Sequence, residues 1–556
     1  MTKGPDPSRS LSAAAGPAGP GERRYLATAE VGLVLTLALV PRLIGTDHPP
    51  YIDELYNILA AQSLVADGTL EIGQGVPYTR GLLHTHIIAA MFRAFGPGLE
   101  AARVPGIIFG TAIVGILFLW VRRASGRLEG WIAALLLALY PAAIALSQVG
   151  RFYPAQVLLF WIGTIAVYRG VLEDRPAIGW TVVAGAAFAG ALHLQPVSAV
   201  GIVGVVLAVA ILRGRQATRW AAARRVSRWV ALPAGVAAIG LGFVVLRMAR
   251  RAARMFQHAD LWAYEHRSDV LFYHDRFLEQ YGMLWLLLPV LVVAAIRKRP
   301  GPAVLAAAIF LLAFTFHSLA AWKNERYLHY ATPALFAIIG IGAGALVRGA
   351  RTAVLPASLG VRSRPRRLAF GAGSFAIVVL ILATGGAMRT SFDMATRVAP
   401  DRPPPYARSD WDAALAYLAP AAERSDVVIA SADLKALYYL GRLDFDISAD
   451  HLFDGTRFLP DFTPQSATGT PVIRSTEAVR TIVDCFPSGL FTIERWHWRA
   501  PDGVPAGTAD LIESLTRPVP VPANLEILAF EWRRGTVPAM ESSAAAPAAC
   551  PVLPAR

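Results

Sequence analysis

Runs of apolar residues separated by short polar loops fill most of the chain as far as about position 390. Their limits predict spans at about 25–44, 101–121, 129–147, 154–171, 180–192, 197–212, 229–246, 281–296, 302–320, 331–347 and 368–388, eleven in all. A hydrocarbon core of about 30 Å takes roughly 20 helical residues. The segment GLLHTHIIAAMFRAF, residues 81–95, is apolar too, but as a helix it covers only about 22 Å. It also carries His84, His86 and Arg93, so it is placed on the membrane surface.

That placement sets the parity of the later loops. VRRASGR, LEDRPAIG, Arg213 to Arg228, RKRPG and Arg348 to Arg367 then share a side with the N-terminus, and basic residues collect there. The positive-inside rule makes that side cytoplasmic. The opposite face receives residues 45–100, Ser147 to Tyr153, Arg247 to Tyr281, Ala321 to Tyr330 and everything after the last span. Residues 1–24 are rich in Pro, Gly, Ser and Ala and are expected to be disordered in the cytoplasm. No small-residue cleavage site follows the first apolar run, so 25–44 is a retained span.

From about 390 the pattern changes. WDAALAYLAPAAE, ADLKALYYLG and TEAVRTIVDCF have helical periodicity, whereas DVVIAS, GLFTIER and ILAFEW are short strand-like runs. Residues 390–533 are therefore expected to form a small extracytoplasmic α/β domain with a supporting or acceptor-binding role, and the Ala/Pro-rich tail 534–556 to be disordered. No phosphate loop, nucleophile elbow or paired-carboxylate pattern stands out in that domain.

Composition agrees. A chain of 556 residues that is 55% hydrophobic and 17% charged is too apolar for a soluble protein of this size. The net charge of +14 is spread over short loops rather than gathered in a patch, which excludes nucleic-acid binding as its explanation. Cys485 and Cys550 are compatible with one disulfide but supply no disulfide framework and no zinc cluster.

Candidate chemistry lies in the outer loops. GTDHPPYIDELYNILA puts Asp53 and Glu54 in the first turn of a short helix after two prolines. Successive helical residues point about 100° apart, so the two carboxylates cannot share one task. A capped surface helix with two solvated acids fits this stretch as well as a functional carboxylate does. Arg151 and Tyr153 in SQVGRFYPAQ, and Lys323, Arg326 and Tyr327 in AWKNERYLHYATP, sit at span boundaries, where interface anchors are common. Arg247, Arg250, Arg251 and Arg254 form one basic helical face. Lying outside, against the charge trend, this face either marks a shift of one span in the count or meets lipid phosphate. His258, His266 and His274 are about 12 Å apart on a helix, too far to share a metal ion, and His84 with His86 lacks the i, i+4 spacing of helical metal pairs.

The set of motifs resembles the GT-C-fold glycosyltransferases that use polyprenyl-phosphate sugars, among them protein O-mannosyltransferases and lipid A aminoarabinose transferases. Tyr51-Ile52-Asp53-Glu54 after the first span, MFRAFG followed by ARVPGIIFG, SQVGRFYPAQ, and NERYLHYATPAL opening a late span carry it, with WDAALAYL and YYLGR in the C-terminal region. The resemblance covers about residues 25–450. It implies a transmembrane catalytic domain over 25–389, with Asp53 as general base or acceptor-positioning carboxylate and Glu54 orienting its loop. It also implies Arg80, Arg151, Arg326 and Lys323 as cations for the donor phosphate, and a site lined by Tyr51, His84, Tyr153 and Tyr327. Arg80-Gly81-Leu82-Leu83 replaces a Lys-Pro-Pro-Leu-type stretch, and Tyr153 stands where many members carry a carboxylate. The second departure disfavours a divalent cation in the reaction, and no other cofactor is expected.

The expectation is thus a bacterial inner-membrane glycosyltransferase, a hexosyl- or pentosyltransferase. It would move one sugar from a polyprenyl phosphate to a hydroxyl on an envelope glycan, lipid or protein at the extracytoplasmic face, with inversion. The rivals are an oligosaccharide transferase using a lipid diphosphate, a transporter or flippase, and a non-catalytic envelope assembly protein. A transporter is expected to show repeats or mid-span ionisable residues, which the spans largely lack.

Overall fold

The computed structural model describes residues 20–173, 177–220, 269–320, 323–354, 386–387, 389–391, 409–454, 457–534 and 550–551. Chain order begins with α1 (Pro20–Leu43) and α2 (Ile52–Ala66), then a hairpin of β1 (Glu71–Ile72) and β2 (Val76–Pro77), then α3 (Leu82–Phe95). The helical bundle continues through α4 (Leu99–Ala124), α5 (Arg127–Ala138), α6 (Pro141–Ser147), α7 (Tyr153–Val167), α8 (Ile178–Leu194) and α9 (Ser198–Trp220). It resumes with α10 (Phe272–Tyr281), α11 (Leu288–Lys298), α12 (Pro300–Leu319) and α13 (Thr332–Val354). Its core is aromatic: Phe118, Phe160, Trp161, Phe310, Tyr330 and Phe336 are fully buried. The Trp161 indole donates to the Tyr330 carbonyl at 3.0 Å, so the one polar atom of this large ring is satisfied inside the bundle.

Among the described residues four helices are long and apolar enough to cross a membrane, or five if α5 and α6 count as one broken span. Two expected spans are interrupted. The span expected at 129–147 bends by 61° between α5 and α6. There Pro141 supplies no N–H and its ring excludes helical geometry from the residue before it. The span expected at 281–296 breaks at Gly282, whose φ is +45°, and again ahead of Pro289 in the first turn of α11. The expected span at 229–246 and residues Arg247, Arg250, Arg251, Arg254, His258 and His266 lie outside the described residues, as does nearly all of 368–388.

The C-terminal part has three layers. Elements run α14 (Trp411–Glu423), β3 (Val427–Ala430), α15 (Asp433–Leu440), β4 (Phe445–Asp446), β5 (Thr463–Pro464), β6 (Pro471–Val472), α16 (Thr476–Cys485), β7 (Ser488–Glu494), α17 (Ala506–Leu515), β8 (Arg517–Pro518) and β9 (Ile527–Arg533). They build a seven-stranded sheet of order β5-β6-β4-β3-β7-β9-β8. The pairs among β6, β4, β3 and β7 are parallel and the outer ones antiparallel. Strand β3 is buried on both faces, as its unbroken VVIA run requires. Val428 and Ala430 pack under α14 and α15, and Val427 and Ile429 under α16 and α17. Cys485 and Cys550 are disulfide-bonded.

This sheet domain docks on α2 and the hairpin. Leu434 of α15 joins Leu55 and Ile58 of α2 in one apolar cluster. Gln74 at the hairpin turn donates through its backbone to Thr468 at 2.8 Å and through its side chain to Leu443 at 3.2 Å.

Candidate active site

Helix α2 starts where Pro49 and Pro50 end. Its first turn is fastened by Glu54, which accepts from its own N-cap amide, Tyr51, at 2.8 Å. Glu54 then turns inward and is fully buried. Arg103 of α4 grips it with two nitrogens, at 3.2 and 2.5 Å. The Gly150 amide, from the loop between α6 and α7, donates to the same carboxylate at 2.6 Å. Arg103 also donates to the carbonyls of Thr46 and His48, at 2.5 and 2.9 Å, and so holds the loop that precedes α2. Glu54 is therefore saturated by structural partners. It fastens two loops and has no free lone pair aimed at solvent.

Asp53, one position earlier, points the other way. Its carboxylate forms an ion pair with Arg326 from the turn before α13, and both groups are about one-fifth exposed. The same guanidinium reaches the hydroxyls of Tyr51 and Tyr327, each at 3.3 Å. It also lies 6.0 Å from the centre of the Tyr153 ring and 5.2 Å from that of Tyr327. Tyr51, Tyr153 and Arg326 line a small pocket with Leu146, Val149 and Asn324. Asn324 caps its own turn by accepting from the Arg326 amide at 3.0 Å, which sets the arginine's direction.

Arg151 lies behind this pair, 6% exposed. It donates to Asn57 at 2.8 Å and Tyr78 at 3.2 Å and stacks on Phe152, 4.7 Å from the ring centre. Burial works most strongly against its charge, but Asp53 together with Tyr78 and Tyr153 more than compensates, and its pKa lies above the usual value. For Asp53, burial pushes the carboxyl up. Arg151, Arg326 and the exposed Arg80 together outweigh that push, and the group sits below the ordinary carboxylate value. The result is an ionised carboxylate among cations from three separate loops.

Two expected site residues have other surroundings. Lys323 spends its ammonium on the C-terminal end of α12, donating to the carbonyls of His317 at 3.1 Å, Ala320 at 2.5 Å and Ser318. It caps a helix whose last carbonyls have no intrahelical partner. His84 does not line the pocket. It is fully buried in α3, and burial together with the Arg151 charge lowers its imidazole to about 3, only partly offset by the Gly150 backbone. The ring is neutral packing beneath Arg151.

Arg103, Asn57 and Tyr78 support the site and were not singled out from the sequence. A signal existed for Arg103: a charged residue at the head of an apolar span, inside the ARVPG motif, is costly unless paired.

Residues 79–246 match the family model described as dolichyl-phosphate-mannose-protein mannosyltransferase. No curated protein sequence matches the chain. Among solved structures, ArnT from Cupriavidus metallidurans in the apo state is similar with a TM-score of 0.58 at 15% identity, over 91% of this chain and 98% of that one. The same protein bound to undecaprenyl phosphate gives 0.55 at 15% identity, over 92% and 98%. The archaeal oligosaccharyltransferase AglB from Archaeoglobus fulgidus, in complex with an inhibitory peptide and a dolichol-phosphate, gives 0.54 at 11% identity, over 89% and 73%. These likenesses give the fold: a polytopic helical membrane protein of the GT-C type.

Proposed function

We propose that this GT-C-type membrane glycosyltransferase moves a single sugar from a polyprenyl-phosphate donor to an acceptor hydroxyl, with Asp53 as general base. The enzyme class comes from the family match, whose span includes Arg80, Arg103 and Arg151. The observation that carries the finer reading is the Asp53–Arg326 ion pair at the pocket lined by Tyr51 and Tyr153.

The reaction asks for two things. When the sugar is transferred, the polyprenyl phosphate departs as a stabilised anion, so the site needs cations for the phosphate and a base for the acceptor hydroxyl, and no general acid. Arg326 and Arg80 are the cations with access to solvent. Arg151, held by Asn57 and Tyr78, supplies fixed positive potential. In the free enzyme Arg326 is shared with Asp53, which keeps that carboxylate ionised and weakly basic. A donor phosphate competes for Arg326. Once it does, Asp53 loses its nearest counter-charge and becomes a stronger base when the substrate is in place. Attack by the acceptor oxygen on the anomeric carbon forms the new glycosidic bond, breaks the bond to the phosphate oxygen, passes the hydroxyl proton to Asp53 and inverts the centre. The site faces the extracytoplasmic side of a bacterial inner membrane, the donor entering from the bilayer and the acceptor from water. The sheet domain docked on α2 supports the acceptor side.

The test is transfer of labelled sugar from a panel of synthetic polyprenyl-phosphate sugars by the protein in nanodiscs, beside Asp53→Asn and with EDTA. Release of polyprenyl phosphate that falls by about 10²–10⁴-fold in the variant is expected. Turnover untouched by the substitution, or seen only with lipid-diphosphate oligosaccharides, would sink the reading.

A further inference from the structure

The sheet domain carries a second polar cluster, made of other residues than the Asp53–Arg326 site, and it stands independently of the transferase reading. We propose that Asp433, Asp446 and His451 form a binding site for one divalent cation of the zinc or manganese kind at the carboxyl edge of the seven-stranded sheet.

Each of the three residues offers a ligand atom, and these atoms all lie within 4.8 Å of one another. Atoms bound to one ion at ~2.0–2.2 Å are about 3.4 Å apart in a tetrahedral site and up to about 4.4 Å apart across an octahedral one, so closing the cluster asks for side-chain shifts of about 1 Å or less per ligand. The three come from different elements that the parallel topology brings to one edge. Asp446 ends β4, Asp433 opens α15 just after β3, and His451 lies in the short turn that follows β4. In open α/β sheets that edge, where strands deliver their C-termini, is where ligands bind.

The surroundings leave negative charge without an answer. Asp446 is completely buried, with Oδ1 accepting from the Ser448 amide at 2.8 Å and Oδ2 paired with His451 Nδ1. Asp433 is 2% exposed, and Oδ1 accepts from the Leu434 amide at 2.7 Å. Its other oxygen, Oδ2, is buried and accepts no hydrogen bond, and neither does the buried Oδ1 of Asp450 beside it. The charged groups that act on Asp433 are His451, Asp446 and Asp450: one imidazole against three carboxylates counting Asp433 itself. The neighbouring Lys435 is engaged elsewhere, with Glu494 at 2.7 Å. A buried acceptor left unpaired is costly, and several carboxylates out of water more so. A divalent cation answers both. The mix of one imidazole nitrogen with carboxylate oxygens suits zinc or manganese better than calcium or magnesium, which favour all-oxygen shells. On binding, Nδ1 of His451 gives up its proton to solvent and turns its lone pair from Asp446 to the ion.

The ion would pin the first residue of α15, whose Leu434 packs on Leu55 and Ile58 of α2. Its role is structural, holding the sheet domain against the helix that begins beside Asp53.

The experiment uses the full-length protein in nanodiscs, stripped with chelator, dialysed against zinc chloride or manganese chloride, and measured for bound metal and for thermal unfolding. About one equivalent per chain is expected, with a higher unfolding temperature in the loaded form. His451→Gln and Asp446→Asn should each lose the metal and the temperature shift, whereas Asp53→Asn should keep both. A stripped wild type that takes up neither metal overturns the proposal, whatever the variants do. So does a full equivalent retained by both cluster variants, which would place the ion elsewhere.

Discussion

Asp53 and Arg326 are separated by 273 positions in the chain and form one ion pair, with Tyr51 on one side of the guanidinium and Tyr327 on the other. Arg326 reaches that position because its turn is capped by Asn324, whose carbonyl and amide are both bonded to the Tyr273 hydroxyl, at 2.8 and 3.2 Å. The pair therefore joins the first loop of the chain to the start of its last described bundle helix.

If Arg326 serves both the donor phosphate and Asp53, Arg326→Ala should raise the donor KM and lower kcat/KM by about 10²–10³-fold. It should also move the acid limb of the rate profile. Burial raises the Asp53 pKa, and Arg151 and Arg326 bring it down. Removing one of the two lets it climb, so activity should begin to fall at a higher pH than in the wild type. Arg326→Lys should restore part of the affinity. An acid limb that stays put would show that Asp53 does not titrate in the catalytic cycle.

Glu54 and Arg103 should answer to stability measurements before activity. Both side chains are essentially unexposed, and removal of one partner strands a buried charge. Arg103→Ala is expected to cost about 3–5 kcal/mol, seen as a lower unfolding temperature in nanodiscs. Asp53→Asn removes a part-exposed partner of Arg326 but also the main counter-charge of the buried Arg151, which keeps its hydrogen bonds to Asn57 and Tyr78, and should cost less, about 1–2 kcal/mol. Equal losses from the two substitutions would contradict the division of labour between the adjacent carboxylates.

His84 gives a pH-dependent stability whose sign follows from its burial. Its ordinary value of 6.5 falls to about 3 in the folded chain. Above 6.5 neither state is protonated there. Below it the unfolded chain takes up a proton that the folded chain refuses, so stability drops as the pH falls from 6.5 towards 3 and then levels off. Between pH 7 and pH 5 the loss is about 2 kcal/mol. In His84→Gln that slope should flatten, as read by thermal unfolding at the two pH values. An unchanged slope would mean that other groups cause it.

Gly81 precedes α3 with φ +62°, and a Cβ there would stand 2.6 Å from Cδ1 of Phe152. Gly81→Ala is therefore expected to destabilise by about 1–2 kcal/mol and to lower kcat, because Phe152 is the ring on which Arg151 stacks. Adding Phe152→Leu should relieve the clash but not the backbone strain, recovering roughly half of the lost stability. Full recovery would show that the left-handed backbone is no constraint here.

Much of the fold was legible in the chain. The helices over 411–423, 433–440 and 476–485 and the strands around 427–430, 488–494 and 527–533 lie where periodicity places them, because each buries a regular apolar stripe or run. The short strands β4, β5, β6 and β8 were not legible, since two residues carry no period, and neither was α17. In the bundle, apolar composition marked the segments at 129–147 and 281–296, but an apolar run looks the same whether its helix is continuous or broken. The prolines and Gly282 decide that through backbone geometry.

By itself the sequence determined the membrane-spanning character, since repeated apolar runs of about 20 residues match the thickness of a hydrocarbon core as helices, and it determined the head of α2, since prolines followed by acids make a helix N-terminus. Which of the two acids turns inward was a tertiary decision. It depends on Arg103 and Gly150, 49 and 96 positions away from Glu54, arriving on one side of α2 while Arg326 arrives on the other. The same holds for Lys323, which a helix end claims, and for Asp433, Asp446 and His451, which meet only because parallel strands deliver them to one edge. Local patterns fix where a side chain leaves the backbone; the company it keeps is set by how distant elements pack.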